Sequence, residues 1–230
     1  MNAPTRVPSR DASSVVIVLL SVLSLSCADK PAPPPVDKPA PPPPASNPAP
    51  TQAASSVAAP DSFRVTFVTS RGPFVVKCIR AWAPHGVDRF YQLVDAHFFD
   101  QTRFFRVVPG FVAQFGLSAN PSGNAAWDAP IPDDPVRQSN KHGVLSFASQ
   151  GANTRSHQLF LNLADNPQLD GMGFPPLCKV VQGLSAVDSL YSGYGESPDQ
   201  GAIQMQGNAY LNRTFPKLDY IKTARITSGR

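Results

Sequence analysis

Residues 62–230 read as a mainly β domain, a barrel or sandwich with a few peripheral helices, and three observations lead there. Short runs of alternating or continuous apolar residues recur along this part, divided by Gly, Pro and Asn. Only two stretches space their apolar residues at three and four. All 21 aromatic residues lie from Phe63 onward, whereas 14 of the 26 prolines fall within the first 60 positions, so the mass needed for a packed core is confined to one domain.

The first strand is Phe63–Thr69, which alternates at period two, and Ser70-Arg-Gly-Pro73 turns it into a second at Phe74–Ile79, a hairpin. Pro84–Ala96 carries Val87, Phe90, Tyr91, Leu93 and Val94 on one helical face, with its proline near the start. Further strands are expected at Arg103–Val108, Val112–Phe115, Val144–Ala148, Gln158–Leu163, Cys178–Val181 and Tyr220–Thr227, and a second short helix at Leu184–Tyr191. Asp133-Asp134, set between Pro132 and Pro135, reads as a solvated turn. No internal repeat is present.

Residues 1–27 have the layout of a secretory signal: Arg6 and Arg10 precede the apolar run Val15–Leu25, which is short for a bilayer span. Ser26-Cys27 follows at once. A small residue and then Cys after an apolar segment resembles the processing site of bacterial lipoproteins, in which the Cys becomes the lipidated first residue; the other reading is an ordinary cleaved signal. The expectation is a chain exported to the cell envelope or periplasm and attached to a membrane through lipid on Cys27. Residues 28–61 then form a Pro/Ala-rich linker, with 12 prolines between positions 31 and 60. Proline fixes φ and lacks an N–H, so this stretch is an extended spacer that could hold a domain roughly 90 Å from an anchor.

Charge excludes little but points away from nucleic acid. The chain has 20 basic and 16 acidic residues, net +4, without a basic cluster on one face. Nucleophile elbows, phosphate loops and zinc-protease motifs are missing from the sequence, and the four histidines have no ligand spacing with one another or with Cys.

The informative stretch is Phe104-Phe-Arg-Val-Val-Pro-Gly-Phe-Val-Ala-Gln114, which sets one arginine among apolar residues on a strand, turn, strand. Together with Phe147-Ala-Ser-Gln-Gly-Ala-Asn-Thr-Arg-Ser-His-Gln-Leu-Phe160 and Leu169-Asp-Gly171, it resembles the cyclophilins, the peptidyl-prolyl cis-trans isomerases. The likeness spans Phe63 to Ile226. It implies a closed eight-stranded antiparallel β-barrel with two capping helices and a site on the outer face. It also implies a monomer acting on proline-containing polypeptides, with no cofactor and no metal.

By the same resemblance Arg106, Phe111 and Gln114 are the catalytic candidates. Val112, Ala148, Ser149, Gln158, Phe160 and Leu169 are the substrate-binding ones, with the main chain of Ala148 and Ser149 offering peptide hydrogen bonds. Departures from the family pattern fall at Phe105, where His is common, at Ser149, where Asn is common, and at Arg155-Ser-His157; all three are expected to reshape the groove rim. Gln168 stands where eukaryotic members have the Trp that supports cyclosporin binding, and Gly173-Phe174 replaces the usual groove His, so weak cyclosporin binding is expected. Cys78 and Cys178 fall in strands that neighbour each other in the cyclophilin barrel; a disulfide and two buried thiols both remain open. The alternative function is a peptide-binding chaperone module that has lost turnover.

Overall fold

The structure, a computed structural model, describes residues 58–228. The secretory signal, Cys27 and all but the end of the proline-rich linker lie outside the described residues.

Eight strands form one antiparallel sheet. They are β1 (Ser62–Thr69), β2 (Gly72–Ile79), β3 (Arg106–Val107), β4 (Val112–Phe115), β5 (Val144–Phe147), β6 (Leu159–Asn162), β7 (Pro176–Gln182) and β8 (Ile221–Ser228). Their order is β3-β4-β6-β5-β7-β2-β1-β8, and the two ends of that order meet. Gln101 N–H donates to Ile221 C=O at 2.8 Å, Ile221 N–H to Thr102 C=O at 2.9 Å and Phe104 N–H to Asp219 C=O at 3.0 Å, so the segment ahead of β3 seams the sheet to β8. This is the closed eight-stranded antiparallel barrel that the sequence resemblance implied. The strand expected over Arg103–Val108 is shorter, because its first residues are spent on that seam and only Arg106 and Val107 pair with β4.

Alternation decides what fills the barrel. On β1, Phe63, Val65 and Phe67 point inward, and on β2 Phe74, Val76 and Cys78 do; all are buried. Phe67 stacks on Phe74 at 4.8 Å and meets Phe115 edge-on at 6.1 Å. With Phe90, Phe99, Phe104 and Phe147 also buried in this core, the interior is side chain throughout, as expected for a small barrel. A ligand must therefore bind outside.

The helices cover the remaining openings. The first, α1 (Pro84–Asp95), buries Val87, Phe90, Leu93 and Val94, the face read from its spacing. Its N-terminal amides are capped from a distance: the Asp134 carboxylate accepts the N–H of His85 at 3.0 Å and of Gly86 at 2.9 Å. Asp134 also pairs at 3.0 Å with the buried Arg155. The solvated turn expected at Asp133-Asp134 is thus half wrong, since Asp134 is buried and joins a helix start to the loop carrying Arg155.

Two single-turn helices, α2 (Ser122–Ala125) and α3 (Gln168–Gly171), follow, and α4 (Leu184–Asp188) is the second expected helix, shorter than its apolar spacing suggested. The pair α5 (Gln200–Gln206) and α6 (Asn208–Thr214) was not anticipated. It builds a second small core from Phe105, Leu117, Ile203, Leu211 and Leu218. At their joint Gly207 has φ +56°, and a Cβ there would run into the Ala119 carbonyl oxygen.

Cys78 and Cys178 sit opposite each other in the β2–β7 register and are joined in a disulfide.

Candidate functional site

Strand register assembles the site. Arg106 on β3 pairs with Gln114 on β4, and Gln114 pairs with Phe160 on β6, so one row across three strands carries all three side chains on the same face. Along β4, Val112 and Gln114 face outward while Ala113 and Phe115 enter the main core. Val112, Phe160 and Leu169 form an apolar cluster of their own, with Phe111, Ala148 and Phe174 packed against it.

This cluster floors a pocket of about 440 Å³ on the outside of the barrel. Arg106, Phe111, Val112, Gln114, Ala148, Ser149, Gln158, Phe160 and Leu169 all line it. The three stretches that resembled a family motif in sequence therefore converge on one surface.

Hydrogen bonds fix its polar groups. The Gln114 side-chain N–H donates to Gln158 Oε1 at 2.9 Å, orienting two amides against each other. The guanidinium carbon of Arg106 lies 5.7 Å from the Phe111 ring centroid, within cation–π range. Ala148 N–H donates to the Gln158 carbonyl at 2.9 Å. Its N–H is thus committed to the barrel, which leaves the Ala148 carbonyl as the main-chain group at this position that can meet a peptide.

Beneath the pocket runs a buried polar network. Asn166 Nδ2 donates to the Phe111 carbonyl at 2.9 Å and to Asn162 Oδ1 at 2.9 Å. Asn162 donates on to Asn140 Oδ1, and Asn140 to both Asp170 Oδ1 and the Phe174 carbonyl. Phe111 and Phe174 are thereby held from below by one connected set of polar side chains. Burial pushes the Asp170 carboxyl up, but hydrogen bonds from Ser139 and Asn140 outweigh it and hold the group below the ordinary aspartate value.

A scan against family models matches residues 64–207 to the cyclophilin type peptidyl-prolyl cis-trans isomerase/CLD family. The chain belongs to that family. Among curated relatives, peptidyl-prolyl cis-trans isomerase CYP18-2 of Arabidopsis thaliana is 30% identical over 141 residues, covering 58% of this chain and 85% of that protein. The isomerase ppi1 of Schizosaccharomyces pombe is 35% identical over 128 residues, covering 53% of this chain and 80% of that one. Among solved structures, a Cryptosporidium parvum cyclophilin superposes with a TM-score of 0.56 at 20% identity, over 74% of this chain and 99% of its own. That cyclophilin has also been solved in the presence of the dipeptide Ala-Pro, with a TM-score of 0.55, 20% identity and coverage of 72% of this chain and 99% of that one. At such identity the likeness speaks for the fold alone.

Within this cyclophilin some departures from the family pattern lie elsewhere than expected. Phe105 is buried in the small core under α5 and α6, and Arg155 is buried among Pro132, Asp133 and Asp134. Neither shapes the groove rim. Ser149, Ser156 and His157 do border the pocket, His157 from a buried position between the Gly116 carbonyl and Asp128. Phe174 meets Phe160 edge-on at 5.7 Å and lines the apolar floor.

Sequence reading missed one wall. Gln200 and Gln204, four apart on α5, line the pocket, and Glu196, just before that helix, accepts from Arg106 Nε at 2.6 Å and lies 2.5 Å from its Nη2 in an ion pair. The i, i+4 spacing of the two glutamines was visible, but nothing local tied that segment to Arg106.

Proposed function

We propose that this cyclophilin accelerates X–Pro isomerisation in polypeptides that fold outside the cytoplasm, with Arg106 stabilising the twisted amide and Phe111, Phe160 and Leu169 holding the proline ring. The observation that carries the reading is the juxtaposition of a guanidinium with a closed apolar floor. Arg106 lies against Phe111 at the edge of a pocket floored by Val112, Phe160 and Leu169.

Physical chemistry supplies the rest. A peptide bond resists rotation by ~18–20 kcal/mol because the nitrogen lone pair is shared with the carbonyl. At the top of the barrier that sharing is broken, the proline nitrogen becomes pyramidal, and it accepts a hydrogen bond that the planar amide cannot. An arginine donor placed there binds the twisted form in preference to either planar one, and it stays charged at every working pH. The ring sits in the apolar floor while the residue before it turns. Gln114, oriented by Gln158, and the Ala148 carbonyl would hold the substrate backbone, Ser149 and Val112 completing the groove. Ala-Pro, the dipeptide used with the Cryptosporidium structure, has the chemistry this pocket fits. No covalent intermediate, cofactor or metal enters the scheme.

The same proposal places residues 1–27 as an export signal, Cys27 as a lipid anchor and residues 28–61 as the spacer that lets a monomeric domain of residues 62–230 reach clients at the envelope. What supports it is the basic, apolar, small-residue-Cys order and the proline content. Labelling of the expressed chain with a radioactive fatty acid tests the anchor: label is expected on the native chain and lost in Cys27→Ala, and an unlabelled native chain would refute it.

Turnover is tested by cis-to-trans isomerisation of a proline tetrapeptide. Arg106→Ala is expected to lower kcat/KM by roughly 10²–10³-fold. A native chain that leaves the uncatalysed rate unchanged would instead favour the non-catalytic peptide-binding module.

A further inference from the structure

We infer that Glu196 is a positioning residue for the isomerase reaction, holding the Arg106 guanidinium in its working orientation. The inference rests on the proposed role of Arg106. One carboxylate oxygen, Oε1, accepts a hydrogen bond from Nε of Arg106 at 2.6 Å and lies 2.5 Å from Nη2 in the same ion pair. Among the described residues no hydrogen bond takes up Nη1. The outer edge of the fork is thus tied down while one nitrogen stays available beside the pocket.

The contact is not an isolated surface pair, because three successive residues of β3 and its approach engage the same segment in three different ways. Phe105 packs into the small core with Ile203 of α5. Arg106 makes the ion pair. Val107 N–H donates to the Gly195 carbonyl at 3.2 Å, the residue next to Glu196.

The loop is itself anchored on both sides. Tyr191 N–H donates to Asp219 Oδ2 at 2.7 Å, and Asp219 also accepts from Ser70 and Arg71. Tyr194 stacks edge-on against Tyr191 and Phe215. At the far end Asp199 caps α5 by accepting the Ala202 N–H at 2.6 Å. Glu196 is therefore presented from a braced loop, and the helix it leads into contributes Gln200 and Gln204 to the pocket wall.

A carboxylate on the catalytic cation has two opposed effects. It fixes a long side chain that would otherwise sample many rotamers, and it offsets part of the charge offered to the substrate. Exposure decides between them: Glu196 keeps 62% of its side-chain surface in water, so its field is screened, whereas the hydrogen-bond geometry is not. Orientation is the larger effect, and removing Glu196 slows the enzyme.

The test is kinetic, on the full-length chain, with the proline tetrapeptide as probe. Glu196→Ala is expected to lower kcat by roughly three- to tenfold with peptide Kd changed less than about twofold, the signature of lost positioning. Glu196→Gln, which keeps an acceptor oxygen, recovers most of the loss. In an Arg106→Ala background Glu196→Ala adds nothing, and the melting midpoint of each variant shows that the fold survives. A Glu196→Ala enzyme as fast as or faster than the native one overturns the inference while leaving Arg106 as the catalytic group, as does an equal loss in the Arg106→Ala background. An Arg106→Ala enzyme with native activity overturns the role of Arg106 itself.

Discussion

At the scale of single residues the pocket is a set of side chains whose roles depend on their neighbours. Phe160 has Val112 and Leu169 as packing partners and Phe174 edge-on at 5.7 Å, so an aromatic ring closes the floor where the family pattern has a histidine. Gln168 opens α3 with its amide turned to Asn166 Oδ1 at 3.3 Å, and supplies no indole. Cyclosporin is accordingly expected to bind weakly; a fluorescence or calorimetric titration as tight as that of a eukaryotic cyclophilin would contradict this. The motif around Arg106 and Gln114 was legible because those residues stand close in sequence and in a recognisable order. Glu196 was not, since an ion pair across 90 residues leaves no local pattern. Asp134 misled for the opposite reason: a charged residue between prolines usually faces water, and here it is buried because it pairs with the buried Arg155, 21 positions away in sequence.

At the scale of elements, short apolar runs divided by Gly, Pro and Asn located all eight strands, alternating in β1 and buried at every position in β4, β5 and β6, although β3 keeps only two of its six expected residues. The α5–α6 pair escaped notice because each helix is only two turns long and shares one buried residue pair, Ile203 and Leu211, with a core lying elsewhere in the sequence. Its joint is the place to test it. Gly207 sits at φ +56° and ψ −141° against the Ala119 carbonyl, a conformation that costs an L-residue on the order of 1–3 kcal/mol. Gly207→Ala is expected to lower stability in urea by about that amount and, by loosening the wall that carries Glu196, to lower kcat. A variant with native stability and native turnover would show that the pair is not tied to the site.

At the scale of the whole molecule the design is a barrel filled with phenylalanine, a polar seam that closes it and a reaction surface left on its outside. The disulfide from β2 to β7 closes a loop of 100 residues, for which chain entropy gives roughly 4–5 kcal/mol. Cys78→Ala with Cys178→Ala is expected to lower the urea midpoint markedly while leaving kcat near native, since Cys78 belongs to the core and not to the pocket. Unchanged stability after removal of both sulfurs would contradict that. Composition had already divided the chain into an aromatic-free, proline-rich quarter and one aromatic domain, and that domain carries the pocket. The central claim is that this pocket twists the X–Pro bond through Arg106. The most direct measurement is the cis-to-trans rate of a proline tetrapeptide with the native chain and with Arg106→Ala. The account predicts clear acceleration by the native chain and a loss of roughly 10²–10³-fold in the variant; equal rates for the two would contradict it.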